Sequence, residues 1–416
     1  MDLCIYEDAR AAEFYPLTAF RPVFDLRCGI LTLREKILRW LPGRTPVLLT
    51  RPYLTELLRE ENPGVSVNDA PGGSCLFLNG RVIMNRKAGA FLRRQKSDAV
   101  FVSGGEIVGA LAGAATLRSS GDLFGAGGGP DFARLAGLPR VECDIPVVRY
   151  PWDILTATPS ELIADYRLLG RGIAAGVQRH TSAVLAGRKN ISIGKGTVIG
   201  PGAIIDAEAG PVYIGRNVRI MPGAVLEGPC AIGDNSIVKI HAKIYAGTSI
   251  GPFCKVGGEI EGSVLHSHAN KQHDGFLGDS YLGMWVNLGA GTTNSNLKNT
   301  YGTIRVEVNG TPVDTGRMFV GLFAGDHAKA GINSTINTGT IIGPSSNIFG
   351  GGLPPKFVPA FAWGGAAGFV TYDPDKALAV AATVMGRRNV TCTPAYKSLF
   401  RTVFTLTAHE RKNFES

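Results

Sequence analysis

The hydrophobic positions in the second half of the chain keep step with one another. Ile214, Ile220, Leu226, Ile232, Val238, Ile244, Ile250 and Val256 stand six residues apart without a break, and Ile193, Ile199 and Ile205 precede them on the same spacing. Glycine follows directly in Ile193-Gly194, Ile199-Gly200, Ile214-Gly215, Ile232-Gly233 and Ile250-Gly251. This pattern predicts the hexapeptide repeats of a parallel β-helix, in which each short strand points one aliphatic residue inward and the small residue after it lets the chain turn a corner. Three hexapeptides make one triangular coil. The beat returns at Ala330, Ile336, Ile342 and Ile348, and between the two runs residues 303–316 read as a β-hairpin turning at Asn309-Gly310, where both positions accept positive φ. Leu353-Pro354-Pro355-Lys356 then breaks the repeat.

The first part of the chain has a different texture. Apolar runs at 1–6, 46–50, 75–78, 99–102 and 141–148 alternate with helical patterns at 29–41 and 52–60. Alternating strands and helices imply an α/β domain with a mainly parallel sheet covered on both faces and ligands at the carboxyl ends of its strands. Ser160 is expected to cap a helix running to Gly170, and Gly170, Gly172 and Gly176 to mark the linker. Past the repeats, Asp373 and Pro374 start a helix ending at Arg387 and Arg388, and a second follows Thr393-Pro394 to about Lys412. These helices are expected to close the open end of the β-helix. The expected organisation is thus α/β plus all-β: domains over 1–175 and 176–352, and a helical tail over 353–416.

Composition narrows the partners. With 43 Lys and Arg against 34 Asp and Glu, the formal charge of +9 favours anionic small molecules such as nucleotides, sugar phosphates or coenzyme A. No basic stripe interleaved with aromatics accompanies it, so no nucleic acid partner is expected. The 55 glycines fall mostly at repeat corners and lack collagen's triplet. Seven scattered cysteines without a CxxC pair argue against a disulfide framework. No apolar run approaches a membrane span and the N-terminus lacks a signal design, so the expected location is cytoplasmic, with no membrane partner.

Two stretches carry resemblances. Residues 14–37, with Pro16-Leu17-Thr18, Arg21 and Gly29, look like the opening of sugar-1-phosphate nucleotidyltransferases. In that comparison Arg21 stands where the family has a phosphate-binding lysine. The family's Gly-rich phosphate loop is replaced by Asp8, Ala9, Arg10, Ala11, Ala12 and Glu13, so Arg10 and Arg21 are the residues expected to meet the phosphates. The family's metal-binding acid is missing from Phe77-Leu78-Asn79-Gly80-Arg81. Asp153, in a Trp-Asp motif, is then the candidate ligand for magnesium, with bracing of the interdomain connection as its other reading.

Residues 271–299, between the two runs of repeats, are dense in His, Asn and Lys. His273, Phe276-Leu277-Gly278-Asp279, the run from Val286 to Thr292, and Asn296 resemble the acetyltransferase domain of the bifunctional enzymes that make UDP-N-acetylglucosamine. The resemblance implies a left-handed β-helix, a homotrimer with ligand sites between subunits, and acetyl-CoA as co-substrate. It makes His273 the base that deprotonates a sugar amine, a task suited to an imidazole that titrates near neutrality. Asn296 becomes its orienting partner, Asn287 a neighbour of the acceptor sugar, and Lys255 a phosphate ligand. Phe276 replaces a tyrosine and Glu261 a lysine of the family, and Lys271 or Lys298 is expected to restore the positive charge.

The expected activity is N-acetylation of an amino-sugar phosphate such as glucosamine-1-phosphate, with nucleotidyl transfer to give a UDP- or dTDP-sugar. Nucleotidyl transfer alone with the β-helix as a trimerisation module, and a non-catalytic sugar-nucleotide-binding scaffold, are the alternatives. Zinc held between coils by His241, His268 and His273 is a further reading, and His327 is a candidate to line the same interface as the catalytic His273. Asn287, Asn294, Asn296 and Asn299 can also be ladder residues whose amides bridge coils.

Overall fold

The structure is a computed structural model describing residues 2–120, 123 and 129–414. The first strand runs Asp2–Tyr6; Met1, which the hydrophobic run includes, lies outside the described residues. It sits at the heart of a seven-stranded sheet, paired in parallel with Pro46–Leu49 on one side and Cys75–Asn79 on the other. All five residues of Cys75–Asn79 are buried, as expected of a strand covered on both faces.

The sheet is not parallel throughout: an antiparallel hairpin separates this parallel half from the parallel pair of Ala99–Ser103 with Arg140–Glu142 at the far edge. Ala99–Ser103 and Glu106–Ala112 form a hairpin through Gly104 and Gly105, both at positive φ, and Glu106–Ala112 inserts antiparallel beside Cys75–Asn79. The strand expected over 141–148 shortens to Arg140–Glu142, with a lone bridge from Val82 to Val147 beyond it.

The connecting helix also starts earlier than Ser160. It runs Pro151–Leu169, with Pro159 inside it and the Ser160 hydroxyl turned back on the Ala157 carbonyl. Proline at the first position needs no N–H there, and Asp153 Oδ2 accepts from the amides of Arg149 and Tyr150, so the N-cap is Tyr150 and not Ser160. Within this helix Glu161 and Asp165 hold the buried Lys36 ammonium. Asp165 also accepts from the amides of Ile30 and Leu31, pressing the helix against Gly29 so closely that a Cβ there would lie 2.7 Å from the carboxylate.

The repeats stack into three parallel sheets, one for each side of a triangular coil. We number the sides by their first strands: side one begins at Gln178–Arg179, side two at Val184–Ala186 and side three at Ile191–Ile193. The aliphatic beat points inward as one apolar column set, from Ile193 through Ile220, Ile244 and Leu282 to Ile348. The stack runs past the expected end at 352: Phe357–Val358 pairs in parallel on side three and Ala362–Gly365 on side one. The proline break is therefore an insertion within a coil. The hairpin Arg305–Val308 and Thr311–Asp314 turns at Asn309 and Gly310, both at positive φ.

The corner between sides three and one is a column of residues at positive φ: Asn217, Asn235, Phe253, His268, Trp285, His327, Ser345 and Phe361. Large side chains there carry a cost of roughly 1–2 kcal/mol each. Ring contacts along the column offset part of it, with centroids 4.8 Å apart for Phe253 and His268 and 4.2 Å for His268 and Trp285.

The α/β part docks on side three. Outward-pointing Val264, Tyr281, Phe323 and Ile341 are buried against Phe14, Leu17, Leu26, Trp152 and Leu155. The two tail helices, Pro374–Gly386 and Pro394–Leu406, do not close the end of the β-helix. Their apolar faces find better cover: Leu378, Leu399, Phe400 and Val403 share a core with Leu54, Leu57 and Leu58 of the α/β part. Beyond side one the last strand instead folds into the hairpin Ala362–Gly365 and Gly368–Thr371. Among the described residues no helix is long and apolar enough to cross a membrane.

Candidate functional site

The strand Asn270–Lys271 carries the chain along side one into the corner that bears His273. Lys271 pairs with Val256 and occupies an inward slot, where the beat of six would place an aliphatic residue; it is fully buried. Its ammonium donates to the main-chain oxygens of His273 at 2.6 Å and Asp274 at 3.2 Å. Burial pushes it down to about 8. Lys271 is thus a brace beneath the corner, turned away from any ligand outside the coil, and the expectation that it contacts substrate is corrected. His273 itself is exposed.

Asn296 is not beside His273. The strands Phe276–Gly278 and Thr293–Asn294 stack in successive coils of side two; His273 precedes the first and Asn296 follows the second. They stand at opposite ends of one side, and Asn296 donates instead to Asp279 Oδ2 at 2.7 Å. Burial raises Asp279 while this bond lowers it, with a net upward shift. Asn294 takes the ladder role: its amide bonds both the N–H and the carbonyl of Gly278 in the coil below. Lys298 is spent locally on the carbonyl of Thr303.

Lys255 and Asn287, by contrast, come together. Along side one, Lys255, Asn270, Asn287 and Lys329 are in register on successive coils. With Gln272, Trp285, Val384, Arg387 and Arg388 they line a cavity of ≈ 330 Å³ between this side and the tail helix Pro374–Gly386. Arg388 is fixed across it, donating to Asn270 Oδ1 at 2.7 Å and to the Phe253 carbonyl at 3.1 Å. Among the described residues no carboxylate lines the cavity and none pairs with these four cations. Burial pushes Lys329 down to about 8, and burial with the charges of Arg388, Lys239 and Arg387 lowers Lys255. Sequence reasoning found two of these residues. Lys329 was findable from its phase in the second run of repeats; the tail arginines were not, because their position depends on where the tail docks.

In the α/β part the place of a phosphate loop is filled by the 3-10 helix Ala9–Phe14. Glu7 is buried and accepts from the Val23 amide, Thr50 and Arg51, while Asp8 is held by Arg81 and Asn79. Arg10 pairs with Glu13 at 2.9 Å. Arg21 makes a buried two-pronged ion pair with Asp326 of the β-helix, so its guanidinium is spent on docking. Asp153 is spent on the helix cap. Among the described residues no group of three or more His, Cys, Asp or Glu is placed to hold a metal ion, and the one candidate carboxylate, Asp153, has its Oδ2 engaged by the amides of Arg149 and Tyr150.

The same observation corrects the zinc reading. His268 is stacked between Phe253 and Trp285, His327 bonds the buried Tyr396 hydroxyl at 2.7 Å, and His241 stands on another corner. His266 likewise serves docking, its Nε2 lying 2.8 Å from the Asp25 carbonyl oxygen.

Comparison with known proteins agrees with this two-part architecture. Residues 3–173 match the family model of sugar nucleotidyl transferases, and residues 211–244 match that of bacterial transferase hexapeptides. The uncharacterized acetyltransferase YaiX of Escherichia coli O6:K15:H31 (strain 536 / UPEC) is 33% identical over 156 residues, which cover 37% of this chain and 68% of YaiX. The chain belongs to this hexapeptide acetyltransferase family. Other relatives are named as bifunctional proteins. The bifunctional protein GlmU of Rippkaea orientalis (strain PCC 8801 / RF-1) is 33% identical over 135 residues, covering 32% of this chain and 28% of GlmU. The bifunctional sugar-1-phosphate nucleotidylyltransferase/acetyltransferase of Sulfurisphaera tokodaii is 33% identical over 121 residues, 29% of each chain. The chain thus matches these bifunctional relatives over less than a third of their own length.

Proposed function

We propose that the chain is an acetyl-CoA-dependent transferase that N-acetylates an amino-sugar phosphate. The observation that carries this reading is the cation-lined cavity on side one: Lys255 and Asn287 line it, and Gln272 at its edge is followed directly by the exposed His273. A phosphate held in the cavity leaves the sugar amine free to reach the imidazole. His273 then takes the amine proton as the nitrogen attacks the thioester carbonyl; the tetrahedral adduct collapses and expels the CoA thiolate, which recovers a proton. General base catalysis of this kind contributes about 10²- to 10⁴-fold.

Asn296 joins such a site from a neighbouring copy. Side three is covered by the chain's own α/β part and part of side one by the tail helix, which leaves side two and its corner with side one for a homotrimer through the β-helix, an arrangement that sets the end of side two bearing Asn296 against another copy's His273 corner. Seven unpaired cysteines support a cytoplasmic location.

Nucleotidyl transfer is a second reading, favoured by the match of residues 3–173 to the sugar nucleotidyl transferases. The packed 3-10 helix and the arginine-bound carboxylates weigh toward a nucleotide-sugar-binding role for that part. The test is acetyl-CoA consumption with glucosamine-1-phosphate and other amino sugars, comparing the native chain with His273→Ala. Equal turnover in the two removes His273 as the base, and no turnover with any amino sugar removes acetyl transfer. Pyrophosphate release from UTP or dTTP with a sugar-1-phosphate tests the second reading.

A further inference from the structure

A second cavity, of ≈ 520 Å³, lies where all three parts of the chain meet. The α/β part contributes Tyr15, Arg51 and Tyr53 to its walls, the β-helix Phe357 and the hairpin residue Glu307, and the tail Leu406 and Glu410. Its volume suits a small organic molecule, and no residue assigned to acetyl transfer lines it. In a chain with a formal charge of +9, this cavity offers free carboxylates and no free cation. Among the described residues Arg51 is the only lysine or arginine in the lining, and its guanidinium is occupied by both oxygens of Glu7, the Tyr53 hydroxyl and the carbonyls of Thr18 and Arg21. Neither Glu307 nor Glu410 forms an ion pair among the described residues. Glu410 Oε2 accepts from the Tyr15 hydroxyl at 2.9 Å and from the Ala360 amide at 2.8 Å, which fixes the carboxylate and leaves Oε1 unbonded. Burial pushes Glu307 up, and it pushes Glu410 up against the lowering effect of those two bonds. A nearby cation relieves carboxylates held in this way. An anion finds no free donor charge here, and an apolar ligand would take water from both carboxylates without replacing it.

We propose that this cavity binds an organic ammonium, a protonated amine on a small body, with Glu307 and the free oxygen of Glu410 accepting its N–H groups and Tyr15, Phe357 and Leu406 covering the body. The aromatic walls suit such a ligand, because ring faces attract cations. Two sources share this chemistry, an amino sugar and an aliphatic amine. The site stands apart from the His273 corner, so an amino sugar held here is an effector and not an acetyl acceptor. A ligand that touches all three parts at once also stabilises the docked tail and hairpin by mass action.

The test is calorimetric titration of the full chain, without acetyl-CoA, with glucosamine, 1,4-diaminobutane and N-acetylglucosamine, the last of which keeps the sugar body and lacks the charge. At least one of the two amines binds with a Kd of about 1 mM or tighter, and about tenfold or more tighter than N-acetylglucosamine. Glu307→Gln weakens that binding about tenfold. Which amine binds more tightly identifies the source. Glu307 is half-buried on a hairpin strand and holds no partner, so the variant is expected to melt with the native chain. Lys255→Gln, in the other cavity, leaves amine binding as it is and so separates this site from the acceptor site. The proposal is overturned by no binding of either amine, by N-acetylglucosamine binding equally well, by amine binding that Glu307→Gln leaves unchanged, or by amine binding that Lys255→Gln abolishes.

Discussion

The ammonium of Lys271 lies 2.6 Å from the main-chain oxygen of His273, reaching the corner from inside the coil. An apolar residue in that slot would fill the core but leave the carbonyls of His273 and Asp274 without this partner. Lys271→Met is therefore expected to fold, because a buried charge is exchanged for an apolar side chain of similar length. Acetyl transfer falls about tenfold, the cost of a loosened corner under the base. Steady-state kinetics beside thermal melting check this. A melting temperature that collapses, or kinetics identical to the native chain, contradicts the brace.

Lys271 and Lys329 also set a pH dependence. Burial holds both at about 8, below the ordinary 10.5, so the folded chain releases these protons before the unfolded chain does. The unfolded state then binds more protons between about pH 8 and 10.5, and stability rises with pH across that window. Below about 8 both states are protonated and these two groups add no slope. Urea unfolding at steps between pH 7 and 10 measures it. The rise shrinks in Lys271→Met, and the same rise in that variant would count against Lys271 as a source.

Arg21 and Asp326 are both nearly inaccessible, with 8% and 3% of their side chains exposed, so neither can be left alone. Arg21→Met is expected to cost about 3–5 kcal/mol by stranding a carboxylate at the domain junction. Adding Asp326→Leu recovers much of it. Equilibrium denaturation of the single and double variants decides the matter; a single variant as stable as the native chain would mean that the junction is wet.

Asp153→Ala removes a helix cap and costs about 1 kcal/mol. Magnesium binding, if measured by titration, is the same in the variant and the native chain. A difference between them would restore Asp153 as a metal ligand.

What the chain reveals before folding follows the range of each interaction. The beat from Ile193 to Ile348 is local and repeated, so the β-helix, its coil phase and the hairpin at Asn309-Gly310 were all legible. Lys271 was visible as a polar residue in an apolar phase, and that phase told against a ligand role. The separation of His273 from Asn296 follows once the coil is drawn, since they flank different ends of side two. Arg21, Arg387 and Arg388 were not legible in the same way. Their partners lie on other elements, as in the 305-residue separation of Arg21 and Asp326, and no local spacing encodes where a domain or a tail helix comes to rest.

That separation also bears on how the molecule is made. The α/β part leaves the ribosome with Arg21 unpaired and Phe14, Leu17 and Leu26 uncovered. Their cover, Val264, Tyr281, Phe323 and Ile341, is translated only much later. At about 5–20 residues per second the wait is tens of seconds at the slow end. The apolar docking surface is open to chaperones or to other nascent chains throughout that interval, and the last coils of the β-helix are what close it.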